Sequence, residues 1–187
     1  MVKISNIKAK YAKDENNEIF SPITSAKSVI TPQGGNFDPG LIMASISGDI
    51  NFTFPRDWAR YFLPYNHQDD KVGDYFTLSG STITINKDIK CIRISAQCIF
   101  WGDYNAPEIV LGILVTDSSG REMSNKQVDQ HKTGGMLCNV VSPHILLNVK
   151  KGFKIQAYTV SGTVTATKVL GRNTHSFMLV KKYKRLK

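Results

Sequence analysis

The segment Ile89–Trp101, IKCIRISAQCIFW, alternates between apolar and polar side chains. Its even positions carry Ile92, Ile94, Ala96, Cys98 and Phe100, and Arg93, Ser95 and Gln97 lie between them. Successive side chains of a β-strand point to opposite faces, so this period of two predicts a strand with one face on a core. The pattern recurs in Phe153–Val160 and in His144–Val149, where Ile145, Leu147 and Val149 form the apolar set.

Regular spacing of such segments predicts an all-β, antiparallel sandwich or barrel. The expected strands are 75–79, 82–86, 89–101, 107–116, 136–141, 144–150, 153–160 and 163–182, the last one broken near Gly171. The turn-forming sequence at Asp117–Gly120 separates two of them. Helix is expected in at most one turn, near Asp57–Leu63, where Asp57 could cap it.

Two segments, Glu108–Val115 and Ser176–Val180, are apolar at even and odd positions alike. A strand of this kind needs a second surface to lie against. One interpretation is a central strand between two sheets, and the other is an interface between subunits. The pattern itself favours neither.

The first 48 residues differ in character from residues 49–187, and we interpret them as an arm and linker ahead of a head domain. The turn-forming sequence DENN at Asp14–Asn17 predicts a small hairpin. Thr31–Gly40 contains two prolines and three glycines, a composition typical of linkers. Because an isolated hairpin is marginally stable in water, the arm needs a partner on which to dock.

The chain carries 24 Lys and Arg against 15 Asp and Glu, a net charge of +9. Part of the excess lies in a basic tail made of Lys181, Lys182, Lys184, Arg185 and Lys187. The tail lacks the interleaved aromatic residues of a nucleic-acid-binding segment, so no nucleic-acid partner is predicted. No segment approaches the roughly 20 apolar residues that cross a bilayer, and the start does not resemble a signal peptide. Cys91, Cys98 and Cys138 form no CxxC pair, so reduced thiols and synthesis in a cytoplasm are expected.

No catalytic, cofactor-binding or metal-binding motif is found in the sequence, and the prediction is a protein that is not an enzyme. The four histidines do not have metal-ligand spacing. The polar sequence Asn66–Asp70 lacks the alternating acidic residues of a calcium loop, which favours a solvated turn. Trp101 and Tyr104 follow the best-patterned strand and are candidates for contact with a host surface, although a structural role is the simpler interpretation.

The order of motifs from Tyr65 to Val180 resembles the trimeric jelly roll of the C1q/TNF-like superfamily. Asn66 precedes a G-x-[FY]-T-like strand at Gly73–Thr77, Ser95 lies in a long strand, Lys151–Ile155 resembles a "kGD-x-I" strand entry, and Ser176–Val180 resembles the closing "[ST]-F-x-G-x-L" strand. Phe153 replaces the usual acidic residue, and the closing glycine is absent. The resemblance implies a jelly-roll sandwich and a homotrimer.

The segment Asp14–Ile30, DENNEIFSPITSAKSVI, is similar to an N-terminal segment of structural proteins of tailed bacteriophages. The residues that fit are Asp14, Phe20, Pro22, Ile23, Thr24, Ala26 and Val29, whereas Ser25 stands where histidine is common. The resemblance implies a fibre protein on the capsid or the tail, with Phe20, Pro22, Ile23, Thr24 and Val29 in a virion-attachment arm.

The two resemblances together imply a trimeric head or tail fibre that is made in the host cytoplasm and assembled into a virion. The doubly apolar strands then supply the expected trimer interface: Ile109, Leu111, Ile113, Val115, Phe177 and Leu179. The expected partners are two further copies, other virion proteins that hold the arm, and a host-surface glycan or protein near Trp101 and Tyr104. A lectin-like receptor-binding protein of the tail or baseplate and a capsid-decorating cement protein are the alternatives.

Overall fold

The computed structural model describes residues 12–13, 19–20, 40–53, 58–102, 109–130, 135–161, 166–172 and 175–182. The chain forms two compact units, Met1–Asp38 and Pro39–Lys187. In the first unit, strands β1 (Ala12–Lys13) and β2 (Ile19–Phe20) pair antiparallel on either side of the DENN sequence, as predicted for a hairpin. The second unit begins at Pro39 rather than at residue 49, because its first strand is an integral member of a sheet.

The described part of the second unit consists of strands joined by turns and loops. Its strands are β3 (Leu41–Ser45), β4 (Ile50–Thr53), β5 (Tyr61–Phe62), β6 (His67–Val72), β7 (Phe76–Ser79), β8 (Thr82–Ile85), β9 (Ile89–Gly102), β10 (Ile109–Thr116), β11 (Glu122–Gln130), β12 (Gly135–Val149), β13 (Lys154–Val160), β14 (Ala166–Leu170) and β15 (Phe177–Lys182). Where one helical turn was expected, residues 61–62 instead form β5, which pairs with β13.

The strands form two antiparallel sheets. The smaller sheet has the order β11-β10-β13-β8-β7, with β5 also paired to β13. The larger sheet has the order β4-β14-β9-β15-β3-β6, and β12 pairs with β9 along most of its length. Two facing sheets of this kind confirm the predicted all-β jelly-roll sandwich.

The core lies between the two sheets and is built from the alternating positions that the sequence predicts. The even-numbered side chains of β9, from Ile92 to Phe100, are buried, and so are Ile155 and Ala157 of β13. Tyr65 is buried as well, and its hydroxyl donates a hydrogen bond to the Gln97 carbonyl oxygen at 2.8 Å. Burial, followed by the neighbouring Cys98 thiol, raises the pKa of Tyr65 well above its ordinary value, so the phenol remains a neutral donor.

Strand β9 changes partners within the larger sheet. Residues 92–97 pair with β15, and residues 99–101 pair with β14. Ser176 lies buried at the junction, where its hydroxyl donates to the Leu170 carbonyl oxygen at 2.6 Å and accepts from the Ile99 backbone N–H at 3.2 Å. One side chain therefore satisfies two backbone groups at the point where the two ladders meet.

Replacing Ser176 with alanine is expected to lower the free energy of unfolding by about 1–3 kcal/mol, because it leaves buried hydrogen-bonding groups unpaired. Urea titration should show a lower midpoint with an unchanged slope. Ser47→Ala, at an exposed position in a loop, is the control and should change the free energy by less than about 0.5 kcal/mol. Equal shifts in the two variants would contradict a special role for Ser176.

The smaller sheet carries a second apolar cluster on the face turned away from the core. Val110, Leu114, Tyr158 and Val160 form this cluster. The Tyr158 ring lies over Gly112 of the neighbouring strand, where an added Cβ would come within 2.3 Å of the ring carbon Cζ. Asn125 and Gln127 of β11 hold the Tyr158 hydroxyl through hydrogen bonds of 2.7 and 2.5 Å. The lack of a side chain at position 112 is what allows the ring to lie flat there.

Candidate functional site

The four residues of β10 that the sequence places in a subunit interface are buried inside a single chain. Ile109, Leu111, Ile113 and Val115 each have 0% exposure and belong to the core. The opposite face of β10 packs into the cluster around Tyr158. The doubly apolar pattern therefore has its explanation within one chain, which corrects the assignment of these four side chains: they offer no surface to a second copy.

A different apolar surface lies on the larger sheet, on the face turned away from the core, which we call the outer face. Its most exposed side chains belong to β12: Ile145 is 61% exposed and Leu147 is 54% exposed, with Val140 further along the strand. Their partners on β9 are Arg93, Cys91 and Gln97. Adjacent aliphatic side chains with this much exposure are typical of a surface that binds something.

The backbone of β12 explains why Ile145 and Leu147 point outward, whereas alternation alone groups them with Val149. Asn148 has a φ of 55°, in the left-handed region, so the side chains before and after it do not follow simple alternation. Val149 is buried in the core, whereas Leu147 is exposed. A register shift between Val141 and His144 interrupts the alternation a second time.

Two of the predicted interface residues, Phe177 and Leu179 of β15, do lie on the outer face, where both are half-buried. Leu179 pairs with Ser95 on one side and with Met43 on the other. Arg93, Ser95, Leu179 and Lys181 line a depression on this face. The outer face thus combines aliphatic side chains with two cations.

The candidate host-contact residue Trp101 lies near one end of the outer face and is 49% exposed. It pairs with Lys168 of β14, which in turn pairs with Asn51 of β4. An exposed indole beside polar side chains provides both an apolar face and a hydrogen-bond donor. Tyr104, the second candidate, lies outside the described residues.

The predicted attachment residues fall mostly outside the described part of the chain. Phe20 ends β2, and its backbone pairs with Ala12. Pro22, Ile23, Thr24 and Val29 lie outside the described residues. Their assignment to an attachment arm stays a prediction.

Within the described residues, no group of three or more His, Cys, Asp or Glu side chains is placed to hold a metal ion. Residues 67–70 of the sequence Asn66–Asp70 lie in strand β6 and not in the expected turn, and Asp69 accepts a hydrogen bond from the Ser45 hydroxyl at 3.0 Å. No helix among these residues is long and apolar enough to cross a membrane.

One serine–histidine contact joins the edges of the two sheets. The Ser124 hydroxyl of β11 lies 2.6 Å from Nε2 of His144 on β12. Burial, followed by the charge of Lys126, lowers the pKa of His144 below its ordinary value. A catalytic triad would place a carboxylate near the histidine, which raises its pKa, whereas the charged neighbour here is a lysine. We interpret the contact as a structural link between the sheets.

Neither a protein-family model nor a curated protein sequence matches the chain. Solved structures do match in fold. Murine APRIL at pH 8.5 superimposes with a TM-score of 0.55 at 9% identity, covering 78% of this chain and 99% of that one. Eiger TNF from S. frugiperda superimposes with a TM-score of 0.55 at 13% identity, covering 80% of this chain and 94% of that one.

The second unit therefore has the TNF-like jelly-roll fold, as the motif order from Tyr65 to Val180 implies. At identities this low, the similarity is one of fold, and a shared fold hosts unrelated functions.

Proposed function

We propose that the chain is a structural protein of a bacteriophage virion: a homotrimeric capsid (head) or tail fibre that is attached through its N-terminal unit. It is made in the host cytoplasm, acts without enzymatic chemistry and needs no cofactor. The main observation in favour of self-association is the outer face, where Ile145 and Leu147 are more than half exposed on a strand of the larger sheet.

Self-association through the outer face is supported by its composition and extent. Aliphatic side chains come from β12, β15 and β3, so the apolar surface crosses the sheet rather than lying on one strand. Burying such a surface against another copy gains about 25 cal/mol per Å² of apolar area removed from water. The number of copies follows from the resemblance to the trimeric C1q/TNF-like proteins, and in a closed ring of three each copy contacts both of its neighbours.

The virion assignment is supported by the resemblance of Asp14–Ile30 to the phage segment. The small size of the first unit, residues 1–38, agrees with it. A unit of this kind gains most of its stability from a partner. The proposed partner is a capsid or tail protein.

Exposure of Trp101 favours a second candidate function, a lectin-like receptor-binding protein of the tail or baseplate. In that case Trp101→Ala abolishes binding to a host glycan while the oligomer persists. A capsid-decorating cement protein shares the same fold and self-association, and it would bind no host component.

Two measurements on the full-length protein test the proposal. Sedimentation velocity at micromolar concentration should give a trimer, and antibody labelling of intact phage particles should place the protein on the head or the tail. A stable monomer would refute the proposed self-association. A trimer that is missing from every purified particle would leave the assembly intact but refute the virion role.

A further inference from the structure

The excess positive charge of the second unit is concentrated at one end of its sandwich. Residues 39–187 contain 19 Lys and Arg against 11 Asp and Glu, a net charge of +8. We define the basic end as the turns 73–75, 86–88, 117–121 and 150–153, with the two strand residues on either side of each, the first two residues of β3 and the last two of β15. It holds nine Lys and Arg against four Asp and Glu, a net charge of +5.

The last five residues, 183–187, follow β15 in the sequence and contain three more basic residues. The basic end and these residues thus account for all of the +8, and the remaining residues of the unit carry seven positive and seven negative charges. Among the described residues of the unit, the basic end therefore carries most of the net positive charge.

Contacts show that these turns form one continuous surface. The Gly152 backbone N–H donates to the Ile85 carbonyl oxygen, and the Asn86 N–H donates to the Tyr75 carbonyl oxygen, both at 2.8 Å. The Lys182 N–H donates to the Gly40 carbonyl oxygen at 2.7 Å, and the Lys182 ammonium lies 3.8 Å above the Tyr75 ring. Thr116, which precedes the turn 117–121, pairs with Lys154, so all four turns and the two strand ends are held together.

The four acidic residues of the basic end already have cationic partners. Asp74 pairs with Lys87 at 2.7 Å, Asp88 with Lys150 at 2.9 Å, Asp117 with Arg121 at 3.2 Å, and Glu122 with Arg60, which lies outside the basic end, at 3.0 Å. Within the described residues, this leaves exposed surplus charge on Lys71, Lys90, Lys151 and Lys154. Such a surface attracts an acidic partner and repels a basic one.

The kind of cation argues against nucleic acid as that partner. Eight of the nine basic residues are lysines, and the one arginine, Arg121, is paired with Asp117. Lysine is a point charge that lacks the planar fork of arginine, which reads bases and phosphates with two bonds. The ammonium groups of Lys87 and Lys182 lie over the Tyr75 ring, so this ring is not a free stacking platform for bases.

We propose that the basic end binds an acidic protein surface, the same one that holds the N-terminal unit. The inference rests on the proposed function for that shared partner. The polypeptide enters the sandwich at Gly40, directly before the β3 residues of the basic end, so a partner bound to the preceding segment is held at high effective concentration beside these lysines. In a cyclic trimer all three basic ends face the same way, which multiplies the attraction.

The test uses poly-L-glutamate as the acidic probe and measures its binding to the full-length protein by fluorescence anisotropy. We expect binding at about 50 mM NaCl that weakens at least about tenfold by about 200 mM, because salt screens exposed charges. The double variant Lys90→Gln/Lys151→Gln should bind at least about fivefold more weakly than the original chain. The Asp88 contact with Lys151 uses the backbone N–H and survives this change.

The matched control is Lys126→Gln/Lys168→Gln, which also removes two positive charges but at positions outside the basic end. Its affinity for the probe should stay within about twofold of the original. Equal losses in the two variants would show attraction to net charge alone and would overturn the proposal. Binding to heparin or duplex DNA without binding to poly-L-glutamate would also overturn it. Sedimentation of each variant reports its oligomeric state independently of probe binding. Because the basic end is complete within one chain, a monomeric protein that still binds poly-L-glutamate would refute the trimer but not the basic end.

Discussion

Gly171→Ala is expected to destabilise the jelly roll by about 3 kcal/mol or more. A Cβ at this position would lie 2.3 Å from the Gly48 carbonyl carbon and 2.4 Å from the Gly48 carbonyl oxygen. Those atoms belong to the backbone, so no side-chain rotation relieves the clash. The segment cannot simply retreat, because the Gly171 N–H donates to the Asp49 carboxylate at 2.9 Å and the Arg172 N–H donates to the Ile46 carbonyl oxygen.

Thermal unfolding followed by circular dichroism provides the measurement. The melting temperature should fall by about 6–12 °C for a unit of this size. Gly48→Ala is the matched control on the other side of the same contact, because a Cβ there would meet nothing within 4 Å. That variant should be neutral or slightly more stable. A Gly171→Ala protein as stable as the control would mean that the close approach of the two backbones is not required.

Ile145→Asp/Leu147→Asp is expected to convert the proposed trimer into a monomer. Both side chains are exposed in one chain, so the substitutions leave its core intact. In the trimer, each aspartate would place a carboxylate in an apolar contact, at a cost of about 2 kcal/mol or more per side chain. The dissociation constant should therefore rise by at least about a thousandfold.

Sedimentation velocity across a concentration series measures this change, and circular dichroism checks that the sandwich remains folded. Met123→Asp is the control, since Met123 is 45% exposed but lies on β11 of the smaller sheet. It should leave the trimer unchanged. Dissociation by the control, or a trimer that persists in the double variant, would place the contact elsewhere.

Strands with one buried face could be located from the sequence. Predicted boundaries for β7, β8, β9 and β13 lie within a residue of the observed ones, because alternation in each continues to the end of the strand. The fold class followed from the spacing of these strands and from the order of the motifs. Strand β11 was missed because its sequence, EMSNKQVDQ, is almost wholly polar, and its place depends on pairing with β10.

The candidate site was harder to predict, because it depends on which face each apolar residue occupies. Alternation assigned Ile145, Leu147 and Val149 to one face, but the left-handed conformation of Asn148 leaves two of them exposed and one buried. Similarly, the apolar pattern of β10 fits an interface until Tyr158 is seen to cover Gly112. Both effects arise from backbone conformation and tertiary packing, which cannot be deduced from the alternation of apolar and polar residues in the sequence.

The change of partner along β9 divides the larger sheet into two sets of strands, which the Ser176 hydroxyl and the bond from the Arg172 N–H to the Ile46 carbonyl oxygen also connect. One set, β14 and β4, holds the surroundings of Trp101, and the other, β15, β3 and β6, holds Phe177 and Leu179. In the proposed assembly, exposed side chains near Trp101 could therefore vary a host contact while the proposed contact between copies keeps its own residues.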